Sequence, residues 1–263
     1  MLIGKAGPAT TSISTADAAS ITVRGRDLCS ELMGPMSFTD YFYLLLTGRE
    51  PRADQRFFLD LLLVAIAEHG LVPTNQAARM TYDADPASLQ AAVAAGILGC
   101  GTVVLGTSEL CGQFLVEARG RAASGDAAAS EVVRAMISDI RTSGGKVPGF
   151  GHPLHKPVDP RTERIFALAD ERGIAGVHVE LARATETAVA EVWGKPLPMN
   201  VSMAIAAVLL DLDFPPAMIK AIPILARTAG LLAHLAEESE RPIGFLMASH
   251  AEAAIHYDDG ESA

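Results

Sequence analysis

A histidine that lies between glycine, proline and a helix start is the feature of this sequence best suited to chemistry. Residues 149–153 read GFGHP, with His152 as the fourth residue, and residues 159–161 read DPR. Asp159 is a good N-cap and proline suits the first helical position, so the spacing predicts that Arg161 begins a helix. The free N–H groups of a helix N-terminus favour an anion. His152 and Arg161 are therefore predicted to hold one carboxylate while the histidine moves a proton.

The residues around this histidine strengthen that interpretation. Gly149 and Gly151 lack a Cβ and allow the backbone to approach a ligand closely, and Lys156 adds positive charge beside Arg161. A lone histidine usually has a structural role, such as capping a turn. The glycines and the two cations together favour a functional role for His152 instead.

A second histidine, His155, lies three residues after His152 and raises the question of a metal site. Pro153 between them argues against one, as does the absence of an obvious third ligand in the sequence, because a zinc site needs at least three protein ligands. We therefore expect no metal. His250 and His256, near the C-terminus, are expected on the surface.

Three further residues each fit a structural role when they are taken singly. His69 ends a helical pattern and would compensate its dipole, Arg227 lies inside an apolar run, and Arg241 follows an acidic run. A buried arginine needs an anionic partner, which is either an internal carboxylate or a bound one. Together with His152 and Arg161, these residues suit a small ligand with several carboxylates, because arginine pairs with carboxylate through two parallel hydrogen bonds.

Length, charge and cysteine content limit the classes of protein. The 263 residues suffice for one large domain or two unequal ones, and the net charge of −10 argues against nucleic acid or an anionic membrane surface as partner. Three cysteines without paired spacing, and a start without an apolar leader segment, predict a reduced, cytoplasmic protein. The most apolar stretch, 216–236, carries charged residues, so we expect no membrane span.

Apolar spacing and glycine or proline breaks predict an all-α fold, with a strand only at 21–23 and a helix kink at Pro223. The expected helices cover residues 41–46, 55–68, 74–81, 85–99, 109–119, 127–141, 160–171, 177–193, 201–212 and 215–238. No linker separates two halves of the chain. The expected domains are a large helical domain of residues 1–106 and 216–263 and a small helical domain of residues 107–215.

Several short motifs, in this order and at this spacing, give the sequence a family resemblance. The motifs are EHG at 68–70, AAR at 77–79, GFGH at 149–152, Lys156 with DPR at 159–161, NV at 200–201 and ARTAGLLAH at 226–234. Over about residues 24–241 the chain resembles the citrate synthase superfamily, and within it the short citryl-CoA lyase branch. The resemblance implies an all-α homodimer with a large and a small domain that close over the substrates.

The resemblance also implies an activity and roles for individual residues. Members make or break the bond between the acetyl carbon of acetyl-CoA and the carbonyl carbon of oxaloacetate. The oxaloacetate part would be bound by His69, His152, Arg161 and Arg227, and His152 would exchange a proton with its carbonyl or hydroxyl oxygen. Arg241 would match an arginine that reaches a neighbouring subunit's site. The coenzyme A thioester, which is a substrate, would lie near Gly149, Gly151 and Lys156.

Two positions depart from the family pattern, and both concern the acetyl end of the substrate. Val104 stands where the synthases have a histidine that stabilises the thioester enolate, and loss of such a donor costs about 3–4 kcal/mol of transition-state stabilisation. Ser202 stands where the family has its catalytic aspartate, a group worth roughly 10²–10⁴-fold in rate. The residues that would hold the dicarboxylate are retained.

Two hypotheses follow from this asymmetry. In the first, the protein is a citryl-CoA lyase-like enzyme in which His152 removes a hydroxyl proton and water held by Ser202 protonates the acetyl-CoA enolate. Cleavage tolerates loss of the aspartate better than synthesis does, because an enolate is protonated more easily than a methyl group is deprotonated. In the second, the protein is a non-catalytic descendant that binds a dicarboxylate or acyl-CoA, or serves as an interaction subunit.

Overall fold

A computed structural model describes residues 9–125, 127–152 and 154–258, and divides the chain into two compact units. The first unit ends at Asp60 and the second begins at Leu61. Pro153, which lies between His152 and the next described residue, is outside the described residues. Residues 1–8, where the sequence predicts no apolar leader segment, are also outside them.

The first unit contains a small antiparallel sheet of order β1-β2-β3 and one capped helix. The elements are β1 (Ser14–Ala16), β2 (Ile21–Val23), β3 (Arg26–Asp27), a π-helix at Leu28–Leu32 and α1 (Phe38–Thr47). Arg24 and Gly25 join β2 to β3 with φ of 50° and 80°, as a tight hairpin turn requires. Only β2 was expected, because strands of two or three residues are too short to show alternation.

The all-α expectation is confirmed in the second unit. Helix α2 (Ala53–Ala67) begins before the boundary at residues 60 and 61 and ends after it. The helices that follow are α3 (Pro73–Ala84), α4 (Leu89–Leu98), α5 (Thr107–Ala123), α6 (Ala129–Thr142), α7 (Pro160–Glu171), α8 (Val177–Trp193), α9 (Val201–Asp211), α10 (Ala221–Glu240) and α11 (Gly244–Ala254). Almost every residue of α9 is buried, and α9 packs against α5, α7 and α8. A helix that is apolar on all sides belongs in a core, and α9 is the central helix of this packing.

The end of the chain differs from the sequence expectation in two places. The expected helix at 215–238 is divided into a 3₁₀ turn (Pro216–Met218) and α10, and Pro223 lies in the first turn of α10 rather than at a kink. Proline is tolerated there because the first turn does not need its missing N–H group. Helix α11 was not expected, because its apolar residues form no stripe and several, such as Phe245, are exposed.

The stretch Pro216–Glu240 is long and apolar enough to cross a membrane by length and composition alone. Within it, α10 packs against α3 and α4, and it carries the buried charged residues Arg227 and Glu238. Both are features of a core helix.

Candidate active site

A cavity of about 310 Å³ in the second unit brings together most of the residues that the sequence singled out. Those that line it are His69, Gly151, His152, Arg161, Ser202 and Arg227. Three do not line it: Gly149 is buried, and Lys156 and Arg241 are exposed. The role that the resemblance gives to Arg241 needs a neighbouring subunit and stays a prediction.

The loop that carries His152 is joined by its backbone to the segment before α9. The Asn200 N–H donates to the Gly149 carbonyl at 2.8 Å, and the Gly151 N–H donates to the Pro198 carbonyl at 2.8 Å. Gly149 has φ +78°, and a Cβ there would lie 2.8 Å from Cys111 Sγ. Gly149 is therefore required for packing and backbone conformation, whereas Gly151 borders the cavity.

The hydrogen bonds of His152 determine which of its ring nitrogens carries a proton. The backbone N–H groups of Leu154 and His155 donate to its Nδ1 at 3.1 and 3.0 Å. Nδ1 must then be unprotonated, so the neutral ring carries its proton on Nε2. Burial lowers the pKa of His152, and the charge of a protonated His155 would lower that pKa further. The neutral ring is a hydrogen-bond donor at Nε2, which disagrees with the expected removal of a hydroxyl proton by this residue.

Asp159 caps α7 as expected and also fixes the arginine beside it. The buried carboxylate accepts from the Arg161 backbone N–H at 3.1 Å, from Nε at 3.0 Å and from Nη2 at 2.8 Å. It also accepts from the backbone N–H of Val201, at the start of α9, at 3.1 Å. Burial would raise the pKa of Asp159, but the bonds from Arg161 outweigh burial and lower it. The arginine is thus held in one orientation by its own helix cap.

The N-termini of two helices, not one, border the cavity. Asn200 caps α9 by accepting from the Ser202 backbone N–H at 3.1 Å, and residues 200–202 line the cavity together with Arg161 at the start of α7. Each helix start contributes a partial positive charge. The α9 contribution was missed at the sequence level, although the NV motif contained its capping residue.

Arg227 is a buried cation whose hydrogen-bond partners among the described residues are neutral. Its Nη1 donates to Asn75 Oδ1 at 3.0 Å, and Nη2 donates to the Ile66 carbonyl at 3.5 Å. Its Nε is buried without a hydrogen-bond partner among the described residues. Burial lowers the pKa of Arg227, while the charge of Glu68 acts in the opposite direction. Of the two partners that the sequence analysis left open, the cavity geometry favours a bound carboxylate, because a buried charge is costly without one.

A polar network that runs from the exposed Glu68 to the buried Arg79 holds the backbone of His69. Glu68 Oε1 accepts from the backbone N–H groups of His69 and Gly70 at 2.8 and 2.6 Å, and His234 Nε2 lies 2.9 Å from Glu68 Oε2. Arg79 donates from Nε to His234 Nδ1 at 3.0 Å. The EHG, AAR and AH motifs of the sequence therefore meet in one network, which their separation along the chain concealed.

The far end of this network is an ion-pair cluster that neutralises Arg79. Its guanidinium pairs with the buried Glu238 at 2.6 Å and also with Glu237.

Burial lowers the pKa of His69, and the nearby positive charge of Arg161 lowers it further. His69 is therefore held as a neutral imidazole at neutral pH.

Two imidazoles that line the cavity and a third beside them, His155, form an arrangement that resembles a metal site. One ring nitrogen from each of His69, His152 and His155 lies within 4.8 Å of the others. Histidines that ligate a metal donate their second ring N–H to an acceptor. His152 does the opposite, because its Nδ1 accepts two N–H groups. These residues therefore fit an anion-binding histidine cluster better than a metal site.

The remaining wall of the cavity is mostly apolar, with Thr107 as a polar residue in it. It is formed by Val72, Val103, Val104, Leu105 and Leu154, and the Leu105 backbone has φ +65°. The position that departs from the family pattern, Val104, therefore does face the cavity. A valine there provides no hydrogen-bond donor to an enolate.

The helices and the cavity define an all-α protein with a site in which two helix N-termini, two arginines and neutral histidines surround an anion-sized space. The sequence matches the family described as citrate synthase, C-terminal domain, over residues 37–244, and the chain belongs to that family. It is 27% identical over 212 residues to a citrate synthase from Synechocystis sp., which covers 77% of this chain and 50% of that protein. It is 30% identical over 190 residues to a putative citrate synthase 2 from Mycobacterium bovis, covering 68% and 47%. The chain spans about half the length of these curated relatives.

Solved structures extend the similarity to almost the whole chain. A citryl-CoA lyase from Hydrogenobacter thermophilus superposes with a TM-score of 0.80 at 28% identity, and covers 98% of this chain and 94% of that one. An ATP citrate lyase from Methanothrix soehngenii, in complex with citrate and coenzyme A, gives a TM-score of 0.75 at 20% identity, covering 99% and 44%. The second likeness concerns the fold alone.

Proposed function

We propose that this protein is a citryl-CoA lyase-like enzyme, which cleaves a citryl-CoA-type 3-hydroxyacyl-CoA to oxaloacetate and acetyl-CoA. The observation that carries the proposal is the buried guanidinium of Arg227, which borders the cavity and donates only to an amide oxygen and a backbone carbonyl among the described residues. Arg161 lines the same cavity and uses only Nε and Nη2 for Asp159, so Nη1 is available to a second carboxylate. The likeness to a citryl-CoA lyase over nearly its full length supports the same substrate class.

The proposed reaction is a retro-Claisen cleavage. The hydroxyl proton leaves to water in the open cavity, the oxygen electrons form the oxaloacetate carbonyl, and the carbon–carbon bond breaks. Its electron pair passes to the thioester as an enolate, which takes a proton from water held by Ser202. His152 donates from Nε2 to the reacting oxygen and stabilises the negative charge that develops there.

The apolar wall and Ser202 favour cleavage of the carbon–carbon bond over its synthesis. Synthesis would require removal of a methyl proton by a base and stabilisation of the enolate by a donor at position 104, and serine and valine are poorly suited to these tasks. Cleavage requires only that the enolate be protonated. Water can do that without an aspartate.

The remaining parts of the proposal concern the coenzyme and the assembly. The coenzyme A part of the substrate would pass Gly151 toward the exposed Lys156, whose charge suits a phosphate. The enzyme would use no metal, because the hydrogen-bond polarity of His152 opposes ligation. A homodimer in the reducing cytoplasm completes the proposal.

The test is release of oxaloacetate from citryl-CoA, measured for the wild type and for His152→Ala, with His256→Ala as the matched control. His256 is exposed and lies outside the cavity lining. We expect turnover by the wild type and the control and a loss of at least 10²-fold in His152→Ala. Wild-type turnover that survives in His152→Ala would overturn the mechanism. Absence of wild-type turnover would overturn the lyase proposal.

A second candidate function is favoured by Val104 and Ser202 together. In that case the protein binds a dicarboxylate or an acyl-CoA without reacting with it, or acts as an interaction subunit. A binding protein should be stabilised by oxaloacetate or coenzyme A and should show no turnover. If Ser202→Asp gained an activity that the wild type lacks, the non-catalytic candidate would replace the lyase.

A further inference from the structure

His155 contacts both histidines of the site but has no part in the proposed reaction. Its Nε2 lies 3.0 Å from His69 Nε2, and its ring centroid lies 4.3 Å from that of His152, at an interplanar angle of 31°. Its backbone N–H donates to His152 Nδ1 at 3.0 Å. One half-buried residue therefore contacts each of the two rings that border the dicarboxylate space.

The short distance between His155 and His69 restricts where their protons can be. Two ring nitrogens 3.0 Å apart form a hydrogen bond only when one of them carries a proton and the other does not. In the neutral pair, one ring is therefore protonated on Nε2 and donates, while the other is protonated on Nδ1 and accepts. The contact thus selects a single tautomer for each ring.

The charged groups around this pair favour its neutral form. Arg161 and Arg227 both act on His69 through their positive charge and oppose its protonation. Glu68, the carboxylate that precedes His69 in the chain, bonds to the His69 backbone N–H and to His234. A neutral pair with a single shared proton is therefore the arrangement that the surroundings support.

We propose that His155 is a positioning residue, which holds His69 as a neutral ring in a single tautomer through one hydrogen bond between their Nε2 atoms. The backbone N–H of the same residue helps to hold His152 in the form that is protonated on Nε2. The pair of tautomers is a property of the ligand-free protein. Its use in binding the dicarboxylate rests on the proposed function.

The test measures the tautomers directly by long-range ¹H–¹⁵N correlation spectra of the histidine-labelled, ligand-free protein at pH 7.5. His155→Phe keeps a ring but removes both nitrogens, His155→Gln restores an amide that can donate or accept a hydrogen bond, and His256→Phe is the control at an exposed site. In the wild type we expect one of the two Nε2 atoms of His69 and His155 to be protonated and the other to be unprotonated, and we expect Nε2 of His152 to be protonated. In His155→Phe the His69 ring should become a mixture of tautomers, while in His155→Gln it should keep the wild-type form.

The outcomes separate this assignment from the proposed reaction. An unchanged His69 spectrum in His155→Phe would overturn the assignment. If His155→Phe does not fold, the wild-type spectrum still decides, because protons on both Nε2 atoms of the pair, or on neither, would overturn it. Oxaloacetate binding should weaken about three- to tenfold in His155→Phe and recover in His155→Gln. A change of tautomer without any wild-type turnover of citryl-CoA would uphold the positioning role and reject the reaction.

Discussion

At the residue scale, Arg227 combines full burial, a positive charge and neutral partners. Its Nη1 and Nη2 groups donate hydrogen bonds to an amide oxygen and a backbone carbonyl. Its Nε has no hydrogen-bond partner among the described residues. A charge in this environment is destabilising unless a ligand compensates it. The buried charge of Arg227 therefore lowers the free energy of unfolding of the ligand-free protein.

The variant Arg227→Met separates these two effects. Methionine can fill much of the same space without a charge, so the ligand-free variant should melt at or above the wild-type temperature. Oxaloacetate binding should fall at least tenfold, because a hydrogen bond to a charged group contributes about 1.5–3 kcal/mol. Thermal melts with and without millimolar oxaloacetate measure both quantities. An unchanged ligand-induced shift would contradict the role of Arg227.

Ser202 allows a test at the acetyl end of the site. Its backbone N–H bonds to the Asn200 cap, and the residue lines the cavity at the N-terminus of α9. An aspartate at this position is favoured by the helix dipole and supplies a general acid or base. We expect Ser202→Asp to increase the rate of cleavage by roughly tenfold or more. Ser202→Asn, which has the same shape without the ionisable group, should show no gain in the same assay.

At the element scale, Asp159 joins the starts of α7 and α9 to each other. One buried carboxylate accepts bonds from the backbone and side chain of Arg161 and from the Val201 backbone N–H. A second carboxylate plays a similar part at a different helix. Asp211, at the end of α9, accepts from the backbone N–H groups of Gly176 and Val179 at the start of α8, at 2.9 and 3.0 Å.

These two aspartates form a matched pair of variants. Asp159→Asn breaks the buried ion pair with Arg161 and should cost about 3 kcal/mol of unfolding free energy and weaken oxaloacetate binding. Asp211→Asn should also destabilise the protein, by about 1–3 kcal/mol, but should leave binding unchanged, since Asp211 does not line the cavity. Denaturant titrations and ligand-induced thermal shifts measure the two effects. Equal losses of binding in both variants would indicate a general effect of destabilisation.

The helix boundaries were predictable where the residues next to them in the sequence mark the start or the end. The boundaries of α7 and α8 match the sequence expectation, since Asp159 and Pro160 mark one start and Gly194, in the left-handed conformation, marks the end of the other. The long-range bonds were not predictable. The Val201–Asp159 bond spans 42 residues and the His69–His155 contact spans 86, so neither has a signal in local spacing.

At the scale of the whole molecule, the histidine cluster makes stability depend on pH. Burial lowers the pKa of both His69 and His152, so the unfolded chain binds more protons than the folded protein just below pH 6.5. The contribution to stability is complete above pH 6.5 and is lost as the pH falls through the lowered folded-state values. Protonation of His152 at Nδ1 would also break its two bonds to backbone N–H groups.

The expected result is a fall in unfolding free energy between pH 6.5 and 5, where most carboxylates remain ionised. The double variant His69→Asn/His152→Asn should show a smaller fall over that interval, because it has two fewer groups to protonate. Denaturant titrations at three pH values, with His256→Asn as the control, provide the measurement. A slope that is the same in the wild type and the double variant would contradict the cluster as its source.

The buried guanidinium of Arg227 on α10, which lacks a carboxylate hydrogen-bond partner among the described residues, has a consequence for the protein in a living cell. Ligand that binds only the folded state shifts the folding equilibrium in proportion to its concentration above Kd. Proteases degrade the small unfolded fraction, so under the proposed function the half-life of the chain should lengthen when the dicarboxylate is abundant and shorten when it is scarce. The abundance of the protein would then follow the concentration of the proposed ligand.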